Sequence, residues 1–145
     1  MGAPFGHNIV HWSQGEYDGS TNSQDDLEII TTRNGFGYRA DDHGNSIANA
    51  TELSVQNDTE VSGWGIVERN TDLDVFSFTT GQGEVDLTIS PFAENPNLDV
   101  LATLMDADGN VIATSNPFDE LDARFNLTLD AVSYTHLTLP TKRIV

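Results

Sequence analysis

The side chains best suited to chemistry in this 145-residue sequence are carboxylates and histidines, gathered in a few short clusters. Asp41-Asp42-His43-Gly44-Asn45 and Asn70-Thr71-Asp72-Leu73-Asp74 each combine two carboxylates with a neutral amide within five residues. A hard cation such as calcium takes about six to eight oxygens, so a site needs several such segments to converge. Two readings stay open for these clusters: solvated, turn-forming acids, or parts of one calcium site. Asp106-Ala107-Asp108-Gly109-Asn110 resembles a calcium loop only superficially, because its glycine comes fourth rather than sixth and no helical pattern flanks it. Asp108-Gly109 is read instead as a tight hairpin turn. His7 and His11 have the i, i+4 spacing of a zinc-binding helix, but Asn8 stands where a general-base glutamate is expected, and β-branched Ile9 and Val10 disfavour a helix. They are read as loop histidines. No G-x-S-x-G, phosphate loop or dinucleotide fingerprint occurs, and the absence of cysteine removes thiol catalysis, disulfides and cysteine–zinc sites. The chain has no recognisable catalytic set of its own.

Composition narrows the partners. Twenty-three acidic side chains against six basic ones give a net charge of −17 and a pI near 4.1. Such a surface repels phosphate backbones and anionic lipid, which argues against nucleic-acid or membrane binding as the main role. No apolar run reaches the ~18 residues of a membrane-spanning helix, and the first residues carry no signal-peptide pattern. The apolar fraction of 37% suffices for one small core. Charge is unevenly spread: residues 1–40 carry −3, residues 41–131 carry −16, and residues 132–145 carry +2 and hold the single lysine, Lys142.

Apolar periodicity then supplies the elements. Residues 13–31 read as largely helical, with Ser13 and Glu16 at capping-box spacing and Ser23 capping a second segment, 24–31. From residue 51 the period becomes two. Val85, Leu87 and Ile89 alternate with acids and threonine, and Ala123, Phe125, Leu127 and Leu129 alternate with Arg124, Asn126 and Thr128. Less regular strands are expected over 61–67, 73–79, 98–105 and 110–115, separated by turn signals such as Gly81-Gln82-Gly83 and Asn116-Pro117. Short strands at this spacing predict a mainly β chain folded as an antiparallel, jelly-roll-like β-sandwich, with a short helical N-terminal segment.

The last segment stands apart. Val132 to Thr141 resembles the translation of a transposon-end adapter used in sequencing libraries, and its composition changes at the same point. Residues 132–145 are therefore expected to be a non-native tail without a defined place in the sandwich. The competing reading is a genuine final strand, 133–139, ended by Pro140, which cannot donate to a ladder.

Asp72-Leu73-Asp74-Val75-Phe76-Ser77-Phe78, Asn97-Leu98-Asp99-Val100 and Leu104-Met105-Asp106-Ala107-Asp108-Gly109-Asn110 follow one another in that order. On these pieces residues 41–130 resemble the bacterial pre-peptidase C-terminal domain, a secreted β-sandwich appended to proteases. The resemblance implies that the sandwich continues beyond Ala131 and is incomplete here. It also places the linker beside the lead-in to the strand at residue 73. The implied calcium ligands are therefore Asp41, Asp42, Asp72 and Asp74, with Asn45 and Asn70 adding neutral oxygens.

Met1-Gly2-Ala3-Pro4, Trp12-Ser13-Gln14-Gly15-Glu16-Tyr17 and Gln24-Asp25-Asp26-Leu27 resemble the end of a metzincin-type zinc metallopeptidase domain. On that resemblance Met1 is the residue of the methionine turn beneath the zinc; the alternative is an ordinary start codon. The zinc-binding H-E-x-x-H helix of such enzymes lies upstream and is missing from this sequence, so the chain is expected to be inactive. The resulting expectation is three segments: 1–38, a remnant of a metallopeptidase catalytic domain; 39–131, the accessory sandwich; and 132–145, the tail. The parent is expected to be a secreted, extracellular bacterial enzyme that uses zinc on protein or peptide substrates. The alternative is a stand-alone extracellular binding module for protein or polysaccharide.

Overall fold

The computed structural model describes residues 18–69, 71–94, 96–130 and 135–142. Helix α1 spans Asp26–Arg33, and its N-cap is Asp25, whose carboxylate accepts from the Glu28 amide at 3.0 Å. The cap thus falls two residues beyond Ser23. Asn22 explains the shift: its Oδ1 accepts from the Gln24 amide at 3.0 Å and its Nδ2 donates to Gln24 Oε1 at 2.8 Å. That local turn competes with a helix over the same residues. Helix α1 buries none of its side chains and lies outside the core. Met1, His7, His11 and Ser13 lie outside the described residues, and no described helix is long and apolar enough to cross a membrane.

The chain is mainly β and sandwich-like. Strands follow as β1 (Thr51–Glu52), β2 (Ser54–Gln56), β3 (Glu60–Ser62), β4 (Leu73–Phe78), β5 (Gly83–Ile89), β6 (Asp99–Val100), β7 (Ala102–Asp106), β8 (Val111–Ser115), β9 (Ala123–Leu129) and β10 (Thr135–Lys142). The larger sheet has the order β1-β4-β10-β7-β8, with β6 pairing the end of β10. Its ladders are antiparallel except for the two-residue β1–β4 pairing, which is parallel. Strands β5 and β9 form the facing layer, and β2–β3 is a separate hairpin.

Alternation explains the core. In β5 and β9 the register sets Val85 opposite Leu127, Leu87 opposite Phe125 and Ile89 opposite Ala123, so both apolar sets share one face. Across from them lie Phe76 and Phe78 of β4, Ala102 and Leu104 of β7, and Leu137 of β10, all buried. Fully burying one such large apolar side chain contributes about 1.5–3 kcal/mol. The β7–β8 connection is the expected hairpin. Gly109 takes φ +83°, and the Asp106 carboxylate accepts from the amides of Asp108 (2.9 Å) and Asn110 (2.8 Å). These bonds, led by the one from the Asn110 side chain, hold the Asp106 carboxyl below its usual range.

The tail does not behave as expected of a foreign segment. Residues 135–142 form β10, which lies between β4 and β7 and pairs antiparallel with both. Leu137 stands opposite Phe76 on one side and Leu104 on the other, and is only 4% exposed. The physical reason is that β4 and β7 offer facing ladders one strand apart, and a segment with period-two Thr and Leu fits them whatever its origin. Pro140 does not end the strand. The β7 pairing stops at Thr138 and pairing resumes with β6 at Thr141, so proline falls where the neighbouring ladder is already interrupted.

Candidate metal centre

Strand β4 carries an unusual face. By period two, Asp72, Asp74, Phe76 and Phe78 point the same way, so two acids continue the apolar row toward one end of the core. Asp72 is 5% and Asp74 1% exposed, the two buried acids of the described residues. Buried carboxylates are costly unless paired, hydrogen-bonded or bound to metal. Yet Asp72 Oδ2 and Asp74 Oδ1 have no hydrogen-bond partner.

The linker brings a third acid. Asp41 Oδ1 accepts from the His43 amide at 3.1 Å, and its Oδ2 accepts from Asn45 Nδ2 at 2.7 Å. Asn45 Oδ1 in turn accepts from the Leu73 amide at 2.7 Å, and the Val75 amide donates to Gly44 O at 3.1 Å. These bonds fasten residues 41–45 along the start of β4. Carboxylate oxygens of Asp41, Asp72 and Asp74 consequently lie within 4.8 Å of one another.

His43 supports the clasp from behind. Its Nδ1 lies 2.9 Å from Thr51 Oγ1 and its Nε2 2.8 Å from Trp64 O, while its ring tilts against Phe76 with centroids 4.5 Å apart. Thr51 and Trp64 thus engage the two ring nitrogens, with the Asp42 carboxylate also 3.7 Å from Nε2. Gly65 lies over the imidazole and Asp74: a Cβ there would sit 2.7 Å from His43 Cδ2 and 2.8 Å from Asp74 Oδ2. Only glycine lets the backbone pass this close.

Electrostatics mark the same place. The Asp74 carboxyl is pushed up to about 7, chiefly by burial, then by the charge of Asp72, with His43 opposing. Glu68 is also raised, mainly by burial and then, against its own backbone hydrogen bond, by the charges of Asp72 and Asp41. Its Oε2 is a third buried oxygen without a partner. Repulsion among these groups is what a divalent cation would relieve.

Of the six residues expected as ligands, the structure brings together Asp41, Asp72 and Asp74. Asp42 stands aside, its Oδ1 accepting from the Ile66 amide at 3.2 Å and its Oδ2 3.7 Å from His43 Nε2. Asn45 positions Asp41 with one end of its amide and holds Leu73 with the other. Asn70 lies outside the described residues. Glu68 was missed by sequence reasoning; its one signal is the spacing Glu68-x-x-x-Asp72-x-Asp74, which only matters once the lead-in to β4 folds back. An all-oxygen donor set suits calcium or magnesium rather than zinc or copper.

Fold and site together define a β-sandwich-like domain with an acidic clasp between an exposed linker acid and two buried acids at one strand. The sequence matches no family model and no curated protein.

Proposed function

We infer that this chain is a non-catalytic, calcium-clasped accessory module, part of a secreted bacterial zinc metallopeptidase. The observation that carries the calcium reading is the buried pair Asp72 and Asp74, each with an unpartnered oxygen, facing Asp41 of the linker. Calcium there offsets the carboxylate repulsion and locks the linker to β4, which fixes how the sandwich is carried by whatever precedes it. The metallopeptidase parent rests on the resemblance of residues 1–38 and 41–130, and zinc belongs to that parent's catalytic domain.

A cation that binds only the folded state adds RT ln(1 + [L]/Kd), about 2.7 kcal/mol at a hundredfold excess over Kd. Calcium should therefore raise the melting temperature of the chain, and far less in an Asp72→Ala, Asp74→Ala variant. An equal rise in both proteins would indicate general screening and dispose of the specific site. Recovery of upstream coding sequence tests the parent: an H-E-x-x-H motif supports it, and a signal peptide joined directly to residue 1 removes it.

One observation favours a second reading, a binding module. A cavity of about 950 Å³ opens between the layers beside Trp64 and Phe92, which are 78% and 77% exposed. Exposed aromatics at the mouth of an apolar cavity suit a protein segment or a sugar face. Saturable binding of a peptide or glycan lost in Trp64→Ala, with calcium response intact, would favour this reading.

A further inference from the structure

A protein core is ordinarily packed to the density of an organic crystal, with few voids larger than a water molecule. Here a cavity of about 950 Å³ opens between the layers. Phe76 of β4, Leu87 of β5, Val100 of β6 and Leu137 of β10 line it, and Trp64 and Phe92 stand exposed beside it. Small-molecule sites span roughly 300–1,000 Å³ and combine apolar walls with a few placed polar groups.

One wall residue is such a group. Asp74 lines the cavity together with Phe76, with which it shares one face of β4. It is only 1% exposed, and its Oδ1 has no hydrogen-bond partner. Among the described residues no salt bridge reaches it. Arg39, the one cation among the lining residues, is itself exposed to solvent. A carboxylate held out of water in an apolar wall needs a counter-charge.

We propose that this cavity binds a primary amine carried on an unbranched apolar chain, with the ammonium on Asp74 and the chain between the layers. The proposal rests on the cavity of the binding-module reading above and not on calcium. An ammonium offers three donors and one positive charge to a carboxylate that the protein leaves unpartnered. A neutral chain would cover the same walls and leave Asp74 without a partner, and an anionic one would be repelled. Calcium held by Asp41, Asp72 and Asp74 uses the same carboxylate, so calcium and the amine should each weaken the other by one common factor.

The test is titration calorimetry of n-octylamine, 1-octanol and octanoate against the full-length chain at pH 8 with a chelator present. An alkylamine, with a pKa of about 10.4, is protonated there. n-Octylamine should bind saturably and at least about tenfold more tightly than either of the others, as a hydrogen bond to a charged group supplies. n-Hexylamine should bind about fifteenfold more weakly than n-octylamine, since each buried methylene contributes about 0.8 kcal/mol, or about fourfold. Asp74→Asn should reduce n-octylamine to the affinity of 1-octanol. Asp41 does not line the cavity, so Asp41→Asn should keep n-octylamine binding and lose its competition by calcium. Equal affinities for the three probes overturn the proposal, and so does n-octylamine binding unchanged in Asp74→Asn. If Asp74→Asn fails to fold, the probe series on the unaltered chain decides. Peptide or glycan binding that needs Trp64, without selectivity for the amine, removes this site and leaves the binding-module reading standing.

Discussion

Asp74→Asn separates the cost of the acidic clasp from its use. The buried Asp74 carboxyl titrates at about 7 against an ordinary value of 3.8. Because the folded pKa is raised, the folded state holds its proton more tightly than the unfolded chain. The stability contributed by that proton is fully present below about pH 4 and is lost as pH rises toward 7. Three units at about 1.4 kcal/mol each amount to a penalty of roughly 4 kcal/mol above pH 7 in the metal-free protein. Asparagine keeps the shape and removes the charge. Without calcium, Asp74→Asn should equal the parent chain near pH 4 and exceed it by about 2–4 kcal/mol at pH 8. Calcium should reverse the order, because the parent binds it with Asp41, Asp72 and Asp74 while the variant has lost a carboxylate from the centre. Denaturant unfolding at pH 4, 6 and 8, with calcium or with a chelator, measures all of this. At pH 6 calcium should also displace nearly one proton from Asp74, read by calorimetry in buffers of different ionisation enthalpy. If the variant gains nothing at pH 8, Asp74 is not a buried charge, and if it keeps an undiminished calcium response, Asp74 is not a ligand.

Three further outcomes follow from the same geometry. Gly65→Ala forces a methyl against His43 and Asp74, and should cost about 1–3 kcal/mol and weaken calcium stabilisation; unchanged unfolding would mean that the backbone does not lie over the site. Backbone amides in the middle of β10, around Leu137, should exchange as slowly as those of Val85–Ile89, and fast exchange would return residues 135–142 to the status of an unplaced tail. The purified chain with added zinc should show no peptidase activity above background, and turnover abolished by a chelator would revive His7 and His11 as ligands.

The β5 and β9 strands were legible because their alternation is strict and each has one solvent face, so period two alone fixes the buried set. Other parts were hidden by competition. Asn22 takes the Gln24 amide and shifts a helix cap that Ser23 could have formed. The strand expected over 61–67 stops at Ser62 as the chain runs into Gly63 and Gly65, where the backbone instead passes close to Leu53, His43 and Asp74. The acidic clusters announced a site, but not its membership. Asp42 is diverted by the Ile66 amide and Asn45 by the Leu73 amide, and neither contact can be inferred from spacing. Glu68 signals itself only by its spacing from Asp72 and Asp74, which does not by itself show that it lies near them. At the tail, composition speaks only to the origin of the segment, and its fit to the ladders of β4 and β7 is a separate matter.

Strand β4 is where the acidic clasp and the terminal strand meet. Its face toward the core changes from Phe78 and Phe76 to Asp74 and Asp72, a local rule broken in the middle of an otherwise consistent sandwich. Such conflicts between pattern and burial are expected at functional positions, where a ligand supplies what the chain does not. The edges of the same strand pair with β1 on one side and β10 on the other, and the β10 register sets Leu139 opposite Asp74 and Leu137 opposite Phe76. A cation that neutralises Asp74 and Asp72 therefore steadies the strand to which β10 must dock. By the reciprocity of linked equilibria, a docked β10 must then favour cation binding to the same extent. Linker, acidic clasp and terminal strand thus bear on one six-residue element, and the order of β4 is what each of them changes.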